Sequence, residues 1–203
     1  MPQNWIPKEA ERNFKFDNVA VNKKTARRFL QYAKHNTIEV MRDALLIRIP
    51  AVTKLIGGDV IHEIGLIENF DAPHLVYYVK FKEFALHKMT CVSQAIVYNE
   101  GGYSGITKHV FFDILLAQYD SIATDSMQSG DGRRFWENQI FEALAKNKFL
   151  YYADFEHGRY EPISSIREFR AVVQNREPWG DGIEYQQRRF IICNEDLRYY
   201  FVT

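Results

Sequence analysis

Three closely spaced glycines raise the first chemical question in this chain. In Asn99-Glu100-Gly101-Gly102-Tyr103-Ser104-Gly105 they follow an apolar strand candidate, Met89 to Tyr98, and open into a buried-looking helix candidate, Ile106 to Tyr119. A glycine turn that starts a helix is a ready anion site, because the first amides of a helix have no internal partners. The spacing Gly101-Gly102-x-x-Gly105 is not the Gly-x-Gly-x-x-Gly of a dinucleotide fingerprint. The chain also lacks a Walker motif, a Cys/His set at zinc spacing and a Gly-x-Ser-x-Gly elbow. Cys91 and Cys193 sit inside apolar strand candidates and read as buried thiols rather than a disulfide or a metal pair.

The elements that must hold this turn follow one another tightly. After the Ile106 helix come a strand, Ser121 to Asp125, a helix from about Gly130 to Asn147, and a strand, Phe149 to Phe155. Strand, turn, helix, strand, helix, strand is an α/β signature. Ser129 can cap the second helix and Asp131 complements its dipole, while Trp136, Ile140 and Leu144 form its inward stripe, widened by Phe135 and Phe141.

Upstream, residues 1–22 read as an N-terminal arm that packs through Trp5, Phe14 and Phe16, and residues 23–203 as one domain. From Lys23, apolar residues at spacings of three and four (Ala26, Phe29, Leu30, Ala33, then Val40, Met41, Ala44, Leu45) predict helix, capped by Asn22 or Thr25 and broken into two helices at Asn36-Thr37. Lys23, Lys24, Arg27, Arg28 and Lys34 form the opposite, solvated face, or a docking surface for something acidic. Beyond Pro50, strands are expected from Asp59 to Ile67, after the Gly57-Gly58 turn, and from His74 to Lys82, after a turn at Phe70 to Pro73. Glu83 to Lys88 continues the second of these or connects it to the Met89 strand, which completes an antiparallel meander. Past a turn at His157-Gly158, Ser164 or Ser165 caps a helix to about Gln174, with Ile166, Phe169, Val172 and Val173 as its apolar side. A loop at Pro178 to Gly182, a strand at Arg189 to Cys193 and a short strand at Tyr199 to Val202 finish the chain.

Composition limits the function classes. With 203 residues, 46% of them hydrophobic, the chain can bury one substantial core. Lys+Arg and Asp+Glu both number 26, so no global field draws it to nucleic acid or membrane. No apolar run reaches the roughly 18 residues of a membrane helix and no signal-peptide core is visible, so a cytoplasmic protein is expected. Aromatics at 15% favour an aromatic core or an aromatic-lined groove, and Tyr199-Tyr200-Phe201 reads as a core edge.

The order of elements over about Lys23 to Cys193 resembles the GNAT superfamily of N-acetyltransferases. There one or two helices precede an antiparallel meander whose fourth strand runs into a pyrophosphate-binding turn and helix, followed by a strand, a helix and two more strands. The run Thr124-Asp125-Ser126-Met127-Gln128-Ser129-Gly130-Asp131-Gly132-Arg133-Arg134-Phe135-Trp136 is similar to a signature of divergent GNAT-like proteins of phages and prophages. The resemblance implies a single GNAT-like domain, with a mixed, mostly antiparallel twisted sheet flanked by helices. It also implies acetyl-CoA as cofactor and, for a phage-encoded member, the host cytoplasm.

On this mapping Met89–Tyr98 is the fourth strand, and the backbone of Ser93, Gln94, Ala95, Ile96 and Val97 would meet the pantetheine arm. Amides from Gly102, Tyr103, Ser104, Gly105, Ile106 and Thr107 would cradle the pyrophosphate, and Lys108 would add a counter-charge. Of the usual Gln/Arg-x-x-Gly-x-Gly/Ala turn, the chain keeps Gly105 and substitutes Gly102 and Thr107 at the other two anchors.

Acetyl transfer to an amine needs a base for the ammonium proton and an acid for the leaving thiolate. The tyrosine that many members use as acid is missing, since none occurs between Asp120 and Lys148. Asp125 and Ser126 are the nearest substitutes, and the candidate bases are Glu63 and Glu100, with His62 and His74 behind them. The implied function is an acyl-CoA-dependent N-acyltransferase acting on an unknown amine or macromolecular acceptor. Two alternatives stand beside it. One is a catalytically inactive GNAT-like protein that binds and modulates a host or phage macromolecule; the other is a nucleic-acid-modifying relative that uses the Lys23–Lys34 face.

Overall fold

The computed structural model describes residues 16–54, 60–125, 130–176, 178–179 and 187–198, with the backbone alone at 50–54, 95–96 and 130–131. Over these residues the protein is mixed α/β, with mostly antiparallel strands and no helix long and apolar enough to cross a membrane. The chain divides into two compact units, Met1–Phe84 with Gln94–Thr107, and Ala85–Ser93 with Lys108–Thr203.

In the first unit, helix α1 (Val19–Asn36) leads into strands β1 (Thr37–Met41), β2 (Ala44–Lys54), β3 (Val60–Glu68) and β4 (His74–Leu86), and then the second half of β5 (Met89–Asn99); the order in the sheet is β1-β2-β3-β4-β5. Asn18 caps α1, accepting from the amides of Ala20 at 3.0 Å and Val21 at 3.2 Å, so the helix starts ahead of the expected Asn22 or Thr25. Asn22 lies inside the helix, buried, with another task. Its Nδ2 donates to the Leu75 carbonyl at 2.9 Å and its Oδ1 accepts from the Leu75 amide at 2.8 Å, which docks α1 onto β4.

The second half of the expected helical segment is a β-hairpin. Val40 pairs with Leu45 and Met41 with Ala44, around a tight turn in which Arg42 takes φ 53°. Apolar residues three and four apart fit a hairpin as well as a helix when two turn residues separate the strands. Pairing of β2 with β3, from Ala44 opposite Glu68 onward, decides between them. Ala26 and Phe29 of α1 pack with Ile47, Ile49, Ile67, Leu75 and Tyr78, and Phe16 of the expected arm joins this core. Gly65 makes the close approach possible, since a Cβ there would stand 3.0 Å from the Phe29 ring and from Leu75.

The second unit begins with the end of β4 and the His87-Lys88 turn, so Glu83 to Leu86 continues the strand. The first half of β5 then pairs in parallel with β6 (Ser121–Ala123). Between them the chain is helical from 106 to 118: an α turn, α2 (Ile106–Lys108), a π-helical stretch at His109–Leu115 and α again in α3 (Leu116–Gln118). The wider π turn brings Val110, Phe111, Phe112, Ile114 and Leu115 all into the interior, more apolar residues than an α turn could face inward.

Helix α4 (Gly130–Ala145), strands β7 (Phe149–Asp154) and β8 (Arg159–Ile163), helix α5 (Ile166–Arg176) and strand β9 (Arg188–Cys193) complete the unit, in sheet order β5-β6-β9-β7-β8. Trp136 and Ile140 of α4 are buried as expected, joined by Ala143, while Leu144 is half-buried. A capping box starts α5, with Ser165 Oγ accepting from the Glu168 amide at 3.2 Å and the Glu168 carboxylate accepting from the Ser164 amide at 2.7 Å. Strand β8 was not foreseen; it follows Gly158, whose φ of 61° turns the β7–β8 hairpin. The expectations for Trp5, Phe14, Gly57-Gly58, Ser129 and Tyr199 to Val202 lie outside the described residues.

Candidate functional site

The glycine turn and the second half of β5, both in the first unit, form the candidate site. Strand β5 enters as half of a parallel ladder in which Cys91, Val92 and Ser93 face Ser121, Ile122 and Ala123. That ladder ends at Ser93, and β5 runs on through Gln94, Ala95, Ile96 and Val97 to Asn99. At its end the Glu100 amide donates to the Val76 carbonyl at 3.0 Å, which fixes the start of the turn against β4.

Asn99 then organises the turn with both ends of its side chain. Oδ1 accepts from the Gly101 amide at 3.0 Å, and Nδ2 donates to Thr107 Oγ1 at 3.2 Å. Gly101, Gly102 and Gly105 take φ values of 100°, 83° and 82°, left-handed conformations that turn the chain sharply. A Cβ added at any of the three would meet no atom of the described residues within 4 Å, so among these residues the outside of the turn is open. The Ile106 amide is tied to the Tyr103 carbonyl at 3.2 Å, the Tyr103 hydroxyl donates to Glu68 at 3.4 Å, and Ser104 is exposed.

The expected bases fare differently. Glu63 is buried and ion-paired with the partly exposed Arg28 of α1, a clasp for which a sequence separation of 35 residues gave no signal. Its neighbour His62 is also buried. Nε2 contacts Glu83 at 2.9 Å, Nδ1 stands 3.4 Å from Arg48, and the ring stacks on Phe81. Burial holds its pKa below the ordinary histidine value, with Arg48 adding to the shift and Glu83 opposing it.

Glu100, by contrast, is exposed and gathers two partners that sequence reasoning had not joined to it. His74 Nε2 is hydrogen-bonded to its Oε2, and the Tyr98 hydroxyl donates to the same oxygen at 3.3 Å. Burial, together with the Glu100 charge, pushes the Tyr98 phenol up to about 12, so it stays a neutral donor. A carboxylate holding an imidazole is a proton-accepting pair, and this one stands at the mouth of the glycine turn.

The remaining candidates belong to the second unit. Lys108 donates to Glu142 Oε2 at 2.6 Å, and this hydrogen bond holds the Glu142 carboxyl below its ordinary range. The Lys108 charge is thus largely balanced where it stands, which weakens its expected part as a phosphate counter-charge. Asp125 is half-buried at the end of β6, and Ser126 lies outside the described residues. A separate recess of about 140 Å³, walled by Met89, Tyr119, Asp120, Cys193 and Asn194 among others, contains none of these groups. On the β7–β8 turn, ligand-type atoms of Asp154, Glu156 and His157 come within 4.8 Å of one another. There Asp154 already accepts from the His157 amide at 3.2 Å and meets its ring at 2.9 Å, so the group is accounted for as a turn clasp.

No protein-family model, curated protein or solved structure matches this chain.

Proposed function

We propose that this protein is an acyl-CoA-dependent N-acyltransferase. The observation that carries the reading is the short β5–β6 ladder: among the described residues it has three pairs and ends at Ser93, while β5 runs on to Asn99 and into a left-handed glycine turn. Backbone left over from a parallel ladder can hydrogen-bond an extended chain such as the pantetheine arm. The turn from Gly102 to Thr107, uncrowded at Gly102 and Gly105 by any described residue, suits a pyrophosphate. Thr107 Oγ1 accepts from Asn99, so its hydroxyl hydrogen is free to donate there.

Acyl-CoA supplies an activated thioester carbonyl. Transfer forms a bond from the amine nitrogen to the acyl carbon and breaks the carbon–sulfur bond; one proton leaves the amine and one ends on the thiolate. We assign the first proton to the His74–Glu100 pair. Glu100 holds Nε2, so Nδ1 of the neutral ring is the nitrogen left to accept. Calorimetric titration with acetyl-CoA tests the reading: saturable heat with a matching thermal shift is expected, and neither at millimolar ligand overturns it.

A non-catalytic binding role is favoured by one observation, the engagement of Lys108 by Glu142 beside the turn. Under that reading the protein binds and modulates a macromolecule, acetyl-CoA gives no saturable heat, and Glu100→Gln leaves the biological effect unchanged.

A further inference from the structure

Helix α1 segregates charge. It carries Lys23, Lys24, Arg27, Arg28 and Lys34 and no Asp or Glu, although basic and acidic residues balance at 26 each over the whole chain. Arg28 is engaged by Glu63. Lys23, Lys24, Arg27 and Lys34 are exposed, and none of them has an acidic partner among the described residues. Asn22, Ala26 and Phe29 hold the buried side of the helix. At about 100° per residue, Lys23, Arg27 and Lys34 fall on the opposite side within a sector of about 40°, with Lys24 and Gln31 beside them. At 1.5 Å per residue this row is about 16 Å long. It does not favour the fold, since Lys23 and Arg27 are helical neighbours four apart and like charges at that spacing oppose helix formation.

The surroundings of the row narrow what it can meet. A helix that lies on a membrane needs its apolar side free to enter the headgroup region, and here that side packs with Ile47, Ile49, Ile67 and Leu75. A protein interface has an apolar or aromatic centre with its charges at the rim; between Arg27 and Lys34 the outward residue is Gln31. A single nucleic-acid strand is held by aromatic side chains that stack on its bases. Tyr32, the exposed aromatic of α1, lies about 140° round the helix from Arg27. A duplex needs none of these features, because it presents about one negative charge per 1.7 Å of its axis on the outside. We propose that the outer face of α1 is a docking surface for duplex DNA, with Lys23, Lys24, Arg27 and Lys34 on its phosphates and no readout of base sequence. The proposal is independent of the acyl-CoA reading, which uses none of these side chains.

The test is fluorescence anisotropy of a labelled mixed-sequence duplex of about 20 base pairs, titrated with the full chain over a range of salt. Wild type is expected to bind, with log K falling against log salt at a slope of about −3 to −4, as four phosphate contacts require. Lys23→Gln/Arg27→Gln should bind about tenfold more weakly or worse at low salt and reduce the slope by about 2. It should melt no lower than wild type, since a like-charge pair is removed. Arg167→Gln/Arg170→Gln takes the same charge from exposed positions of α5 and should leave affinity and slope nearly unchanged. No binding by wild type at low salt overturns the proposal. So does an equal loss in the two double variants, which would make net charge the cause. Tighter binding to the single strand, to poly-L-glutamate or to phosphatidylserine vesicles than to the duplex also overturns it. If Lys23→Gln/Arg27→Gln does not fold, Lys24→Gln/Lys34→Gln takes its place; failure of both to fold shows that these cations serve the fold and overturns the proposal.

Discussion

Asn99 Nδ2 donates to Thr107 Oγ1 across 3.2 Å, joining the last residue of β5 to the second residue of the helix beyond the glycine turn. The seven residues between them are thereby closed into a loop held by the chain's own side chains. With Gly101 N–H bound to Asn99 Oδ1, one side chain defines both the entry and the exit of the turn. Asn99→Ala should therefore loosen the loop more than it destabilises the protein. Hydrogen exchange at the Gly101 amide is expected to speed up by about tenfold, while stability falls by less than about 1 kcal/mol because the site is exposed. Unchanged Gly101 exchange would show that the backbone alone holds the turn.

Gly65 should tolerate no side chain. Alanine would bring a methyl group to 3.0 Å from both the Phe29 ring and Leu75. Both neighbours are fully buried and cannot move aside cheaply. Alanine is better suited to a strand than glycine, so a gain would be expected if space allowed. Gly65→Ala is instead expected to cost about 1–3 kcal/mol, measured as a drop in the urea midpoint at unchanged m-value.

Stability should also carry the signature of His62. Burial holds this imidazole below its ordinary value of 6.5, while the unfolded chain keeps that value. Below pH 6.5 the unfolded state therefore binds more protons than the native one. The contribution is fully present above pH 6.5 and is lost as pH falls through the folded value. His62→Gln should flatten the decline in urea midpoint between pH 7 and about pH 5. An equal decline in wild type and variant would assign that pH dependence to the carboxylates.

Cys91 and Cys193 should be silent to thiol reagents in the native state. Burial pushes the Cys91 thiol up to about 11 and raises Cys193 as well. Both are fully or almost fully buried. At pH 8 neither is expected to react with an aromatic disulfide until denaturant is added, whereupon two thiols per chain should titrate. Rapid native labelling of one thiol would show that its strand opens locally.

Sequence alone determined the elements whose patterns are local. The apolar runs of β3 to β5, the glycines of the turn, the stripe around Trp136 and Ile140 on α4 and the Ser164-Ser165…Glu168 start of α5 each state their conformation within a few residues. Local propensity and side-chain period act over that same short range, so these elements were legible. Tertiary structure decided what depends on distant partners. It turned Val40 to Leu45 from helix into hairpin by pairing β2 with β3, and it gave the Ile106 helix a π turn to bury two adjacent phenylalanines. It also sorted the polar residues. The Glu63 carboxylate was buried against Arg28, Glu100 was brought to His74 across 26 residues, and the Gln94 carboxamide was buried without a partner among the described residues. A carboxylate in a strand has the same local pattern whether it faces a cation, a histidine or water, and only the neighbours supplied by long-range packing distinguish them.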